Sequence, residues 1–179
     1  MMSILQFKEM NILTLDDYRN EFEQSSNRSV SMPIAGTIVW GVVALLSTQF
    51  NENISVYILL FATGGIFPIA LIIAKIRKEN LVSSSNPLAK LMGLCILMVN
   101  LLWAVHIPLL LNAPEFVPLS LGIGLGLHWV VYSWIINHPV GIIHAVLRSI
   151  LIVVAWYLFP NDGLLAISCV IVLTYLISI

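Results

Sequence analysis

Residues 115–159 read EFVPLSLGIGLGLHWVVYSWIINHPVGIIHAVLRSILIVVAWYLF. Glu115 stands at the edge of this stretch, and Arg148 is the one charge inside it. An apolar helix of about 20 residues crosses the hydrocarbon layer of a bilayer. The stretch is long enough for two such crossings and too long for one. Proline disfavours helix in the residue before it. Asn137-His138-Pro139 therefore reads as a turn between two antiparallel helices, Glu115 to Asn137 and Pro139 to Phe159.

The same pattern extends outward in both directions. Apolar runs cover Val30 to Phe50, Ile54 to Ile76, Leu88 to Leu111 and Gly163 to Ile179. The breaks between them are polar: Asn51-Glu52-Asn53, the loop from Lys75 to Pro87, Asn112-Ala113-Pro114 and Pro160-Asn161-Asp162-Gly163. The expected fold is all-α, a polytopic membrane bundle of six transmembrane helices over residues 30–179. Its composition agrees: 59% of residues are hydrophobic and 9% charged, with a mean hydropathy of +0.98. A soluble domain carries about 25% charged residues. This chain has too little polar surface for water, so its expected partner is the lipid bilayer.

Residues 1–29 are polar and read as a cytoplasmic tail. Thr14 and Asp17, three residues apart, can cap a short helix. Leu15, Tyr18 and Phe22 then share one face, and Asp16, Asp17, Glu21 and Glu23 take much of the rest. The acidic face disfavours anionic lipid, so this amphipathic helix is expected to dock on protein. It is also the natural contact for a homodimer or for a protein partner.

Lysine and arginine in short loops set orientation. Lys8, Arg19 and Arg28 precede the first run, and Lys75, Arg77, Lys78 and Lys90 flank the loop between the second and third. An even number of crossings puts all of these on one side. The expected location is a bacterial cytoplasmic (inner) membrane, with N- and C-termini cytoplasmic.

Polar groups inside lipid are costly and mark candidate sites. His106, His128, His144 and Arg148 stand out. If the hairpin pivots on His138, His128 pairs in depth with Arg148, and Tyr132 with His144. Each pair on one helix is four residues apart, which puts it on one face. His128, Tyr132, His144 and Arg148 therefore form the candidate ligand-binding patch, about 15 Å from the cytoplasmic end at its deepest. His106 belongs to the opposite half. Either the patch binds a ligand, or Arg148 snorkels to the lipid phosphates while the rings satisfy one another. Glu21 or Glu23 could supply Arg148 with a counter-charge. Gly122, Gly124 and Gly126 read as packing positions or a flexible point, and Pro68 and Pro108 as kinks.

No catalytic residue, cofactor or metal site is expected. Cys95 and Cys169 lie in apolar runs and read as small buried hydrophobes. No phosphate-binding glycine loop, serine nucleophile or nucleic-acid-binding patch occurs, so nucleic acid is not an expected partner.

Trp40, Phe67-Pro68-Ile69-Ala70 leading to Ala74-Lys75-Ile76, Asn86-Pro87-Leu88, and His128 with Tyr132 and Trp134 carry a resemblance. The chain resembles a family of small bacterial multi-pass membrane proteins of unknown function. That resemblance implies a helical bundle and a bacterial source, and supplies no activity or cofactor. Three readings follow from the residues. The chain binds or transports a small molecule through the patch; it is a non-catalytic membrane scaffold or regulatory subunit; or it is a lipid enzyme with His128 or His144 as base. The last is the least supported, because a base alone makes no active site.

Overall fold

The computed structural model describes residues 13–26, 30–79 and 85–179. Among these, every regular element is helical: α1 Leu15–Ser26, α2 Ser31–Ser47, α3 Glu52–Gly64, α4 Ile66–Arg77, α5 Pro87–Leu101, α6 Trp103–Asn112, α7 Val117–Gly124, α8 His128–Ile135, α9 Val140–Leu158 and α10 Gly163–Ser178. A single 3-10 turn, Pro114–Phe116, leads into α7. Lys8 and Arg28, used above for orientation, lie outside the described residues.

The ends of the helices follow local chemistry. Asn51 caps α3 by accepting from the Ile54 amide at 3.0 Å. Asn86 caps α5 by accepting from the Leu88 amide at 2.8 Å, with Pro87 in the first helical position. α4 closes on Lys78, at φ 57°, with the Glu79 amide donating to the Ala74 carbonyl at 2.8 Å. α9 stops before Pro160, as a helix must.

Three helical stretches are long and apolar enough to cross a membrane: Pro87–Asn112, Pro114–Ile135 and Val140–Leu158. Two bent pairs, α1 with α2 at 55° and α3 with α4 at 41°, raise the number to five if each counts as one span. α10 is a shorter apolar helix of 16 residues. The expected count of six is thus not what length and composition give. The segments are those expected, but α2 and α10 fall short of a full crossing and α3–α4 bends at Gly65. That bend lies three residues before Pro68, on the side where proline leaves a carbonyl without its amide.

α10 lies between α2 and α9 and is the spine of the core. Trp40, Val43, Leu59, Val117, Leu121, Trp129, Ile152, Ile167, Ile171 and Tyr175 are buried together around it. The outside is also apolar. Leu45, Phe61, Ile76 and Leu111 are each more than 70% exposed. Large apolar side chains on both faces of a helix suit lipid rather than water. Cys169 points outward and is exposed, so it is not the buried hydrophobe expected; Cys95 is buried.

α1 lies against its own bundle. The buried Asn86 amide donates to the Tyr18 carbonyl at 2.8 Å and to Glu21 Oε2 at 3.1 Å. Arg19 donates to the Trp134 carbonyl at 3.2 Å and sits 5.2 Å from the Trp134 ring centre. Its first turn is capped by Thr14 and Asp17. The Thr14 amide and hydroxyl both donate to the Asp17 carboxylate at 2.7 Å, and the Asp17 amide donates back to Thr14 Oγ1 at 3.2 Å. The hydrogen bonds from Thr14 hold the Asp17 carboxyl below the usual aspartate range. A lowered folded-state value means that the cap contributes above the ordinary carboxylate range. Its contribution is lost as pH falls through the lowered value. Amide exchange at the start of α1 is therefore expected to accelerate only below the ordinary aspartate range, and Asp17→Asn to remove that step. An acceleration already complete near neutral pH would contradict the cap.

A second clamp ties α4 to α2. The buried Glu79 carboxylate accepts from Ser31 Oγ and from Arg77 Nε. It sits at the N-terminus of α2, where a negative charge is favoured.

Candidate functional site

α7 and α8 would be one helix but for residues 125–127. There the amides of Gly126 and Leu127 reach back three residues instead of four, to the carbonyls of Ile123 at 2.8 Å and Gly124 at 3.2 Å. The change strands the Gly122 carbonyl, which an unbroken helix would pair with Gly126. Arg148 Nε of α9 takes it at 2.9 Å. Gly126 makes the approach possible: a Cβ there would lie 3.1 Å from Arg148 Cδ. The glycines at 122, 124 and 126 face three different neighbours. These are Ile152 and Ile171, then Leu102 of the α5–α6 junction, then Arg148. They are packing positions around a real break.

Arg148 does not snorkel to the end of the bundle. It is 0% exposed. Its guanidinium carbon lies 5.2 Å from the Tyr175 ring centre and 5.9 Å from that of Trp40. Among the described residues, neither Nη1 nor Nη2 has a hydrogen-bond partner, and neither does the indole N–H of Trp40. Glu21, offered above as a counter-charge, is engaged by Asn86, and Glu23 faces a different cleft.

His144, one turn before Arg148, is buried. Its ring stacks on Trp129 at 4.1 Å between centres and 21° between planes. Tyr175 lies 5.2 Å from it on another side. Its Nδ1 hydrogen-bonds Ser178 Oγ at 2.8 Å, and its Nε2 has no partner.

The hairpin register differs from the expected one. Across it Gly126 meets Arg148, Gly122 meets Ile152 and Gly141 meets Ser133, pairs centred on Asn137 rather than His138. Asn137 takes a left-handed φ of 51°. Ser133 Oγ bonds the His138 carbonyl, and His138 Nδ1 accepts from the Val140 amide at 3.2 Å. The four predicted residues are therefore brought together only in part. His144 and Arg148 share a buried face, His128 lies within electrostatic reach of both, and Tyr132 lies beyond Trp129. Trp129 stands 6.2 Å from the His128 ring and 5.6 Å from the Tyr132 ring. Tyr132 instead lines a cleft of about 330 Å³ with Glu23, Ser26, Asn137 and His138. His106 stays apart, bonded through Nδ1 to Ser120 Oγ at 3.0 Å.

Trp40, Trp129, Tyr175 and Ser178 belong to the cluster and were not anticipated. Ser168, Tyr175 and Ser178 fall at helical spacing along one side of α10. That polar stripe in an otherwise apolar run was the available signal. Among the described residues, no group of histidine, cysteine, aspartate or glutamate is arranged to hold a metal ion.

The profile described as "Family of unknown function (DUF7010)" matches residues 15–179, which include α1 and the entire cluster. The chain belongs to this family. No curated protein and no solved structure matches it. The DUF7010 match begins at Leu15, the first residue of α1, so the docked helix is within the family's extent.

Proposed function

We propose that this chain is a multi-pass integral membrane protein that binds or transports a small anion at Arg148. One observation carries the reading: a guanidinium 0% exposed whose two terminal amino groups have no hydrogen-bond partner among the described residues. Arginine cannot shed its proton at this depth. An unpaired buried charge costs several kcal/mol. Two cation–π contacts return roughly 0.5–2 kcal/mol each. The shortfall favours a bound counter-charge.

The proposed topology is six spans, namely α2, α3–α4, α5–α6, α7–α8, α9 and α10, with both termini cytoplasmic. Support comes from contacts that gather alternate helix ends. The start of α2 meets the end of α4, α1 meets the start of α5 and the end of α8, and the start of α9 meets the end of α10. The scaffold reading has less support, because Asn86 and Trp134 of its own bundle already engage α1.

The test is thermal unfolding of the purified protein in detergent, in gluconate buffer, with sodium bicarbonate, nitrate or chloride added. An anion that binds the folded state at 100 times its Kd adds about 2.7 kcal/mol. The parent is expected to rise saturably in unfolding temperature with at least one anion. Arg148→Met is expected to fold with equal or higher unfolding temperature, since an unpaired buried charge is gone, and to lose the anion response. A parent that no anion stabilises, or an Arg148→Met protein that responds like the parent, would refute the proposal.

A further inference from the structure

The cluster around Arg148 leaves unpaired groups of two kinds, and the difference bears on which anion fits. Arg148 Nη1 and Nη2 and Trp40 Nε1 are donors only. His144 Nε2 and Ser168 Oγ are also unpaired among the described residues, and the hydrogen bonds around the histidine ring bear on the character of Nε2. The Ser178 hydroxyl has one proton, which it donates to the Thr174 carbonyl at 2.8 Å. With the proton placed there, Ser178 Oγ accepts from His144, and this assigns the hydrogen to Nδ1. In the neutral ring the other nitrogen is a bare acceptor. The hydrogen bond made by one ring nitrogen sets which nitrogen of a histidine carries the proton.

α9 and α10 pack antiparallel. His144 meets Ser178, and one turn along Arg148 meets Tyr175. Ser178 holds Nδ1, and Nε2 is buried without a partner among the described residues. His144 and Arg148 are four residues apart on one face, each 5.2 Å from the Tyr175 ring. A cleft of about 210 Å³, lined by His138, His144, Thr174 and Ser178 among others, runs from the turn of the hairpin to this histidine.

Resting on the anion-binding reading above, we infer that the ligand is a small oxyanion that still carries a proton, selected by donation of that proton to His144 Nε2. Its charged oxygens face the guanidinium and the Trp40 indole, and its hydroxyl donates to the imidazole. A bare halide or a fully deprotonated monoanion satisfies the donors but leaves Nε2 unpaired, and a buried polar group left unpaired costs affinity. Bicarbonate and nitrate make a clean comparison. Both are flat monoanions of three oxygens, and only bicarbonate has a hydroxyl.

The experiment is calorimetric titration of the full chain in lipid nanodiscs with sodium bicarbonate and with sodium nitrate. It is run at matched ionic strength and at a pH where bicarbonate predominates. Bicarbonate is expected to bind about tenfold more tightly, the value of one satisfied hydrogen bond. In His144→Phe, which keeps a ring against Trp129, bicarbonate is expected to weaken to the level of nitrate while nitrate is unchanged. Ser178→Ala lies at the end of α10 and perturbs folding less. It frees the ring to place its hydrogen on Nε2 and is expected to narrow the preference severalfold. Equal binding of the two anions by the parent, or a preference kept in full by both variants, would overturn the inference while leaving an anion site at Arg148. Failure of both anions to bind would overturn the site reading with it.

Discussion

Gly141→Ala is expected to destabilise the protein by about 3 kcal/mol, the upper range for forcing atoms into a packed interior. A Cβ at this position would lie 2.1 Å from the Trp129 carbonyl oxygen, 2.9 Å from Ser133 Cβ and 3.0 Å from the Ser133 amide. Two of the three are backbone atoms, which no side-chain rotation moves aside. The added methyl must therefore push α8 and α9 apart at the closed end of their hairpin. That displacement would also disturb the stacking of Trp129 on His144 one turn away. Gly93 is the control, since nothing lies within 4 Å of a Cβ built there. Gly93→Ala is expected to be neutral or to stabilise by up to about 1 kcal/mol, because alanine is the better helix former. Denaturation of both variants in mixed micelles checks the pair. If Gly141→Ala unfolds within 0.5 kcal/mol of Gly93→Ala (roughly the scatter of an inert surface change), the close approach is not a constraint.

Asn86→Ala is expected to cost about 2–3 kcal/mol and to release α1. The residue is 1% exposed and does three things at once. It caps α5 through the Leu88 amide, and it donates to the Tyr18 carbonyl and to Glu21 of α1. Loss of an N-cap costs about 1 kcal/mol. Each part-buried hydrogen bond to α1 contributes about 1 kcal/mol. A further tie, Arg19 on Trp134, is more exposed. Limited trypsin digestion reads the release directly, as faster cleavage after Arg19. Cleavage there at the parent's rate, with α5 intact, would mean that α1 is held by something other than Asn86.

Much of the architecture was readable from residue order. The polar breaks at Asn51, Asn86 and Pro160 mark helix ends because each has a local cause: a side chain that caps, or a ring that cannot continue a helix. The Thr14–Asp17 cap was readable for the same reason. The hairpin pivot was not. Pro139 shows that a turn exists, but Asn137, in a left-handed conformation, sets its centre. One residue of error in the pivot shifts cross-hairpin pairs by two. That error set His128 opposite Arg148, where Gly126 stands. The break at residues 125–127 adds to it, because a tighter turn rotates every side chain beyond it relative to a continuous helix.

Composition and spacing by themselves determined a helical protein with an apolar exterior, a docked amphipathic helix, and His144 and Arg148 on one face of one helix. These depend on interactions within a few residues or on bulk hydropathy. Tertiary structure alone decided that Arg148 turns inward between Trp40 and Tyr175 with two amino groups unpaired. It also decided that His144 stacks on Trp129 and hydrogen-bonds Ser178. The reason is physical: burial of a charge, and the pairing of a carbonyl freed by a helix break, depend on which helices meet. That meeting is set by packing between residues far apart in the chain.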